Sequence, residues 1–203
     1  MAVATDVDVD ANRTFIEEGE AAQFFFNITG GTARLFKLLA DGRRQVTGFA
    51  RRGHFLGLAV DDAYTFSAEA IEPVRLCRFP RAKVYALIDD FPTLRRRLLE
   101  TASNELVVAQ EQMLLLGRKT ARERLASFLV SQAVPPEVCG GASDRIHLPM
   151  SRTDIADYLG LTIETVSRVI TKLKNDRLIA LPSTTDVVIL DRDTLVLMAD
   201  GAL

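Results

Sequence analysis

Glu164, Ser167 and Arg168 have the types and the spacing to read the edge of a base pair. Glu164 and Arg168 are four positions apart, so on a helix they project from one face, one turn apart. A guanidinium suits the two acceptors on the major-groove edge of guanine, and a carboxylate suits the amino group of cytosine. Together they can read one G·C pair, Arg168 on the purine and Glu164 on its partner. Their opposite charges are expected to hold each other in place beforehand. Ser167 lies between them and can approach a neighbouring base. Ser151, Arg152, Thr162, Thr165 and Lys172 are side chains of the kind that hold phosphates, and they are assigned to the backbone of the same duplex.

Those side chains need two short helices to carry them, and residues 150–181 read that way. Ser151 can cap the first helix, with Asp154 returning the bond. Ile155, Ala156 and Leu159 give it a narrow apolar face. Gly160 stands where a helix ends in the left-handed conformation. Thr162 caps the second helix, whose apolar stripe is Ile163, Val166, Val169, Ile170 and Leu173. Ala156, Gly160 and Val166 fall where a helix-turn-helix needs a small residue, a turn residue and a buried branched residue. Residues 178–181 and 187–190 flank a turn-rich stretch at 182–186, which adds a wing. Residues 145–148 read as a strand leading in, and 193–198 as a closing short helix. Upstream, Thr120 and Glu123 form a capping box for a helix with Leu125, Phe128 and Leu129 facing inward. The loop at 135–143 carries Cys139, read as an ordinary loop thiol.

Residues 13–80 have a different period. Short apolar runs alternate with glycine-bearing turns, giving strands at 23–29, 32–39, 45–50, 64–70 and 74–79. Asp41–Gly42 is a hairpin signal between two of them. Such a series suggests a small antiparallel barrel or jelly roll. A short helix at 83–88 follows. Phe91–Pro92 then opens a long helix with one apolar stripe: Leu94, Leu98, Ala102, Leu106, Ala109, Met113 and Leu116. A break is expected at Gly117. The stripe is long for a helix that only covers a barrel, and packing against a second copy is its natural use. The fold class is therefore α+β, with an N-terminal antiparallel β jelly-roll barrel at 1–90, a dimerisation helix at 91–116 and a C-terminal winged helix-turn-helix at 117–203.

Composition sets bounds on function. With 203 residues, 48% hydrophobic and 26% charged, the chain suits a soluble globular protein. Net charge is −2, but positions 118–177 hold ten basic against seven acidic side chains, a weakly basic patch in an acidic chain. No stretch reads as a secretory signal or a membrane span. Two cysteines, Cys77 and Cys139, form no disulfide framework, which points to a reducing cytoplasm. A metal enzyme on a cupin-type barrel needs two or three histidines converging with a carboxylate. His54 and His147 are the only histidines, and His147 lies beyond the barrel. No nucleophile–base pair and no glycine-rich phosphate loop stands out, so no catalysis, metal or cofactor is expected. A helix-turn-helix that only docks protein is the remaining alternative class.

Barrel, long helix and winged helix-turn-helix, in that order, resemble the Crp/Fnr family of bacterial transcription regulators. The resemblance covers nearly the whole chain and is sharpest in GRKTARERLASFL and LPMSRTDIADYLGLTIETVSRVITKLKNDRLIAL. The run from Glu164 to Arg168, ETVSR, is similar to the DNA-reading signature of the Fnr branch. DGRRQVTGF and FSAEAI are similar to its FixK-like members. The resemblance implies a homodimer on double-stranded DNA, at a TTGA/TCAA inverted repeat, and activation through contact with RNA polymerase.

The departures concern control. Cyclic-nucleotide-binding members carry Gly-Glu in the barrel and, further on, Arg followed by Ser or Thr. This chain has Gly57-Leu58 and Phe66-Ser67. Both charged partners are replaced by apolar residues, and Ser67 alone does not offset the desolvation of a phosphate. Iron–sulfur members carry an amino-terminal cysteine cluster, which is absent here. The stretch before Arg13 is shorter than family members usually have, as a mis-set start codon would leave it. Cys77 offers a redox alternative, with Arg75 and Arg78 nearby to lower its pKa; a plain strand cysteine is the simpler reading. Haem through Cys77 or His54 would rest on a single ligand. Control by expression level, without cyclic AMP or an iron–sulfur cluster, fits best.

Overall fold

The computed structural model describes residues 4–58, 62–133 and 144–202, which form two compact units, Met1–Ala109 and Gln110–Leu203. The expected loop at 135–143, with Cys139, lies outside the described residues.

The first unit is a jelly roll of two antiparallel four-stranded sheets. Its strands are β1 (Thr5–Val9), β2 (Thr14–Ile16), β3 (Phe24–Gly30), β4 (Ala33–Leu38), β5 (Arg44–Ala50), β6 (Phe55–Leu56), β7 (Ser67–Ala70) and β8 (Val74–Pro80). One sheet runs β1-β8-β3-β6 and the other β2-β7-β4-β5. Ile16, Phe26, Ile28, Val74 and Leu76 alternate with outward residues and fill the core between them. Asp41–Gly42 closes the β4–β5 hairpin, where the Asp41 carboxylate accepts from the Arg43 backbone N–H at 3.0 Å.

Three strands were not anticipated. In β1 the acidic residues hide a clean alternation: Val7 and Val9 pack on the core, while Asp8 lies opposite Arg75 on β8. β2 and β6 are only three and two residues long. The strand expected at 64–70 begins at Ser67. Tyr64 instead lies ahead of it, buried, its hydroxyl donating to the Phe24 carbonyl at 2.9 Å and accepting from the Phe24 N–H at 3.1 Å.

Helix α1 (Arg81–Asp90) follows and is longer than the 83–88 expected. Helix α2 (Pro92–Arg118) runs for 27 residues. Gly117 does not break it: the helix passes through that position and ends at Arg118. The boundary between the two units falls inside this helix, between Ala109 and Gln110, so its last turns group with the second unit.

In the second unit, α3 (Ala121–Gln132) starts at the expected Thr120–Glu123 capping box. A three-stranded sheet, ordered β10-β11-β9, comprises β9 (Arg145–His147), β10 (Ile179–Ala180) and β11 (Asp186–Ile189). Helices α4 (Arg152–Leu159) and α5 (Ile163–Asn175) lie between β9 and β10 in the chain, and α6 (Arg192–Ala199) closes it. Leu125, Phe128, Ile155, Leu159, Val166, Leu173 and Leu195 form the core.

Candidate nucleic-acid interface

The helix-turn-helix is built by local capping at both helices. At α4, the Ser151 hydroxyl accepts from the Asp154 N–H at 3.1 Å, and the Asp154 carboxylate accepts from the Ser151 N–H at 3.0 Å and hydroxyl at 2.7 Å. Gly160 ends α4 with φ +61°, the left-handed value a tight turn requires. At α5, the Thr162 hydroxyl oxygen accepts from the Thr165 N–H at 3.2 Å. Val166, Ile170 and Leu173 are buried, and so is Ala156, 2% exposed, whose small side chain lets the helices cross closely. Ile163, placed by the sequence in this apolar stripe, is 43% exposed and stays outside the core, because it is the first residue of the helix.

That packing leaves the opposite side of α5 in solvent. Glu164, Ser167, Arg168 and Lys172 are all exposed on it, as the spacing requires of a reading face. Thr162 is exposed, and Thr165 is half-buried beneath them. Of the other residues assigned to phosphates, Ser151 is exposed but tied into its cap, and Arg152 is half-buried. Burial lowers the Arg152 pKa from its ordinary value.

One expectation is corrected. Glu164 and Arg168 do not hold each other: among the described residues no ion pair joins them. The Glu164 backbone N–H and the Thr162 hydroxyl engage the Glu164 carboxylate and lower its pKa. Those groups belong to the first turn of α5, where the helix dipole also favours an anion. Arg168 lies over the Thr165 hydroxyl, with Nη2 3.4 Å from Oγ1. The two candidate reading groups are thus held separately.

The long helix carries the other surface. Leu106 is 60% and Met113 65% exposed, with Ala102 and Ala109 exposed between and beside them. Leu94, Leu98 and Leu116 are half-buried.

In the barrel, Phe66 packs against the core and Leu58 is half-buried, so neither position offers charge to a nucleotide. The redox reading of Cys77 loses its premise. Its thiol donates to the Asp6 carboxylate at 3.0 Å, and that bond pushes its pKa up. Arg78 instead stacks on the Phe24 ring at 4.5 Å, and Arg75 packs across Gly30. Strand β1 supplies the carboxylate, from a position 71 residues away in sequence, whereas Arg75 and Arg78 are near only along the chain. His54 and His147 fall in different units, and among the described residues no cluster of three or more His, Cys, Asp or Glu could hold a metal. Nor is any described helix long and apolar enough to cross a membrane.

Arg124 went unremarked in the sequence. Its Nη1 donates to the Leu159 carbonyl at 2.8 Å, Nη2 to that of Leu116 at 2.9 Å and Nε to that of Lys119 at 2.9 Å. The signal for it was a cation in the first turn of a helix, where the dipole disfavours one.

Comparison with known proteins agrees with this arrangement. A Crp-like helix-turn-helix domain model matches residues 123–198, and a cyclic nucleotide-binding domain model matches residues 6–91. The chain is 46% identical over 175 residues to the nitrogen fixation regulation protein FixK of Bradyrhizobium diazoefficiens, covering 86% of this chain and 74% of that one. It is 44% identical over 179 residues to the transcriptional activatory protein AadR of Rhodopseudomonas palustris, covering 88% and 75%. The solved structure of FixK2 from Bradyrhizobium japonicum matches with a TM-score of 0.90 at 34% identity, over 97% of this chain and 98% of that one.

Proposed function

The chain is a DNA-binding transcription regulator of the Crp/Fnr family, in its FixK-like branch, and we propose that it binds a TTGA/TCAA inverted repeat as a homodimer. The observation that carries the reading is the exposed row Glu164, Ser167, Arg168 on a helix whose other side is buried. Arg168 reads guanine, Glu164 reads the paired cytosine, and Ser167 approaches a neighbouring base. Lys172, Arg152, Thr162, Thr165 and Ser151 hold phosphates and fix the register. The exposed stripe on α2 pairs with its copy, using Leu94, Leu98, Ala102, Leu106, Ala109, Met113 and Leu116. Two-fold symmetry with one helix per major groove sets the half-site centres about 34 Å apart.

The regulator works in the cytoplasm as an activator that touches RNA polymerase, and it is not an enzyme. Neither cyclic AMP nor an iron–sulfur cluster controls it. Apolar Leu58 and Phe66 support the first half of that statement, since a buried phosphate without a cation is costly. Its level of expression sets its activity.

Band-shift titration at moderate salt tests the central claim. A duplex with the inverted repeat should compete at least about 1,000-fold better than random duplex. Equal competition by both would leave only a non-specific or protein-docking role. Calorimetry with cyclic AMP should show no heat of binding; micromolar affinity would overturn the reading of Leu58 and Phe66.

A further inference from the structure

We propose that Arg124 is a positioning residue that sets where each recognition helix lies relative to the end of α2, and thereby the half-site spacing the regulator accepts. The proposal rests on the homodimer reading above.

Arg124 is the fourth residue of α3, in the turn where a helix favours anions. Its guanidinium folds back from that turn onto the ends of two other helices. Leu116 lies in the last turn of α2, and Leu159 is the last residue of α4. The final carbonyls of a helix have no intrahelical donor and carry the negative end of its dipole. One planar fork therefore satisfies two helix ends at once, at 2.9 Å and 2.8 Å, with a third bond at 2.9 Å to the Lys119 carbonyl between α2 and α3. A compact ammonium cannot reproduce that geometry.

A second tie runs beside the first. The Gln112 side-chain amide, on α2, donates to the Tyr158 carbonyl, on α4, at 2.9 Å. Gly160, the turn of the helix-turn-helix, lies against the first of these ties. A Cβ there would meet Leu116 Cδ2 at 3.3 Å and Arg124 Nη1 at 3.4 Å. The last turns of α2 and the helix-turn-helix are thus joined side chain to backbone, all within one compact unit. Met113 and Leu116 on those turns belong to the self-association stripe. In a pair of chains held along α2, this joint fixes the distance and rotation of each α5 from the two-fold axis.

The test uses the full chain and fluorescence anisotropy on labelled duplexes. One duplex carries the half-sites at the natural spacing, and others have one or two base pairs inserted, each turning one half-site by about 34–36° relative to the other. Wild type, Arg124→Gln and Arg124→Lys are compared, with dimer state checked by sedimentation. The wild type should strongly prefer the natural spacing. In Arg124→Gln the ratio of natural to inserted affinity should fall by at least about 5-fold, with Arg124→Lys between the two. The ratio between intact and altered G·C pairs should stay as in wild type, which separates a loosened joint from a damaged reading helix. A general loss of stability weakens all spacings alike and would leave the spacing ratio unmoved. An unchanged spacing ratio in a folded, dimeric variant overturns the proposal. If Arg124→Gln does not fold, Arg124→Lys decides alone by the same criterion. A wild type that sediments as a monomer, or ignores spacing, takes down the homodimer reading as well; a spacing-selective wild type with unmoved variants takes down only the role of Arg124.

Discussion

The two units differ in where their most distinctive polar side chains are placed. In the barrel several of them, buried or half-buried, bond within the fold. Tyr64 is bonded to both backbone groups of Phe24, Arg34 pairs with Glu69 at 2.7 Å, Cys77 donates to Asp6, and buried Arg81 donates to the Ala22 carbonyl at 2.9 Å. In the DNA-binding unit caps, Arg124 and ion pairs such as Arg122–Asp176 at 2.8 Å serve the fold, while Glu164, Ser167, Arg168 and Lys172 face solvent on α5. A reading surface needs donors and acceptors that the fold itself does not use up. The exposed row on α5 keeps further donor and acceptor capacity toward solvent, and that is where the second unit can meet a partner.

Self-association gives the largest effect with which to break the comparison, because it concerns the apolar face outside both cores. Replacing Leu106 and Met113 together by Glu puts charge on two exposed apolar positions of α2. The double variant should sediment as a folded monomer. Losing the second half-site contact should weaken operator binding by at least about 100-fold. A folded variant that remains dimeric would move the interface elsewhere.

Base reading is next in size. Arg168→Ala should cost about 1–3 kcal/mol on the intact site and much less on one whose G·C pair is already changed. Equal loss on both would make Arg168 a phosphate clamp, so anisotropy on the two duplexes decides. Lys172→Ala should weaken both duplexes alike and reduce the slope of log affinity against log salt by about 1. A slope that does not move would remove Lys172 from the phosphate contacts.

The same contrast explains what was legible in the residue order. The helix-turn-helix could be read because its signals are local: Ser151 with Asp154, Gly160, and Thr162 each act within four residues. The spacing of Glu164, Ser167 and Arg168 sufficed to place them on one face. Their mutual pairing did not follow, because the first turn of α5 offers Glu164 nearer donors than Arg168. Barrel strands with apolar runs were legible, whereas β1 needed its partner: the pairing of Asp6 with Cys77 bridges most of the first unit. Arg124 was missed for a similar reason. Its three carbonyl partners lie on both sides of it in sequence, and only the folded chain brings them together.

Cys77 gives the smallest effect and sharpens the comparison from the barrel side. Hydrogen bonding to Asp6 raises the folded thiol pKa, with partial burial and the charge of Asp6 adding to it. The neutral thiol is therefore favoured in the folded state. That contribution is fully present below the unfolded thiol pKa and is lost as pH rises through the folded value. Alkylation follows the thiolate fraction, so at pH 8 Cys77 should react more slowly than a free thiol, as read by mass spectrometry of its own peptide. Asp6→Asn removes the carboxylate, lowers the pKa and should speed that reaction severalfold. Cys77→Ser should leave operator affinity unchanged in air and in reductant. Fast alkylation of the wild type would remove the hold of Asp6 on this thiol, and an air-sensitive affinity that Cys77→Ser abolishes would make the strand a redox switch and give the barrel a signalling role beside the DNA-binding unit.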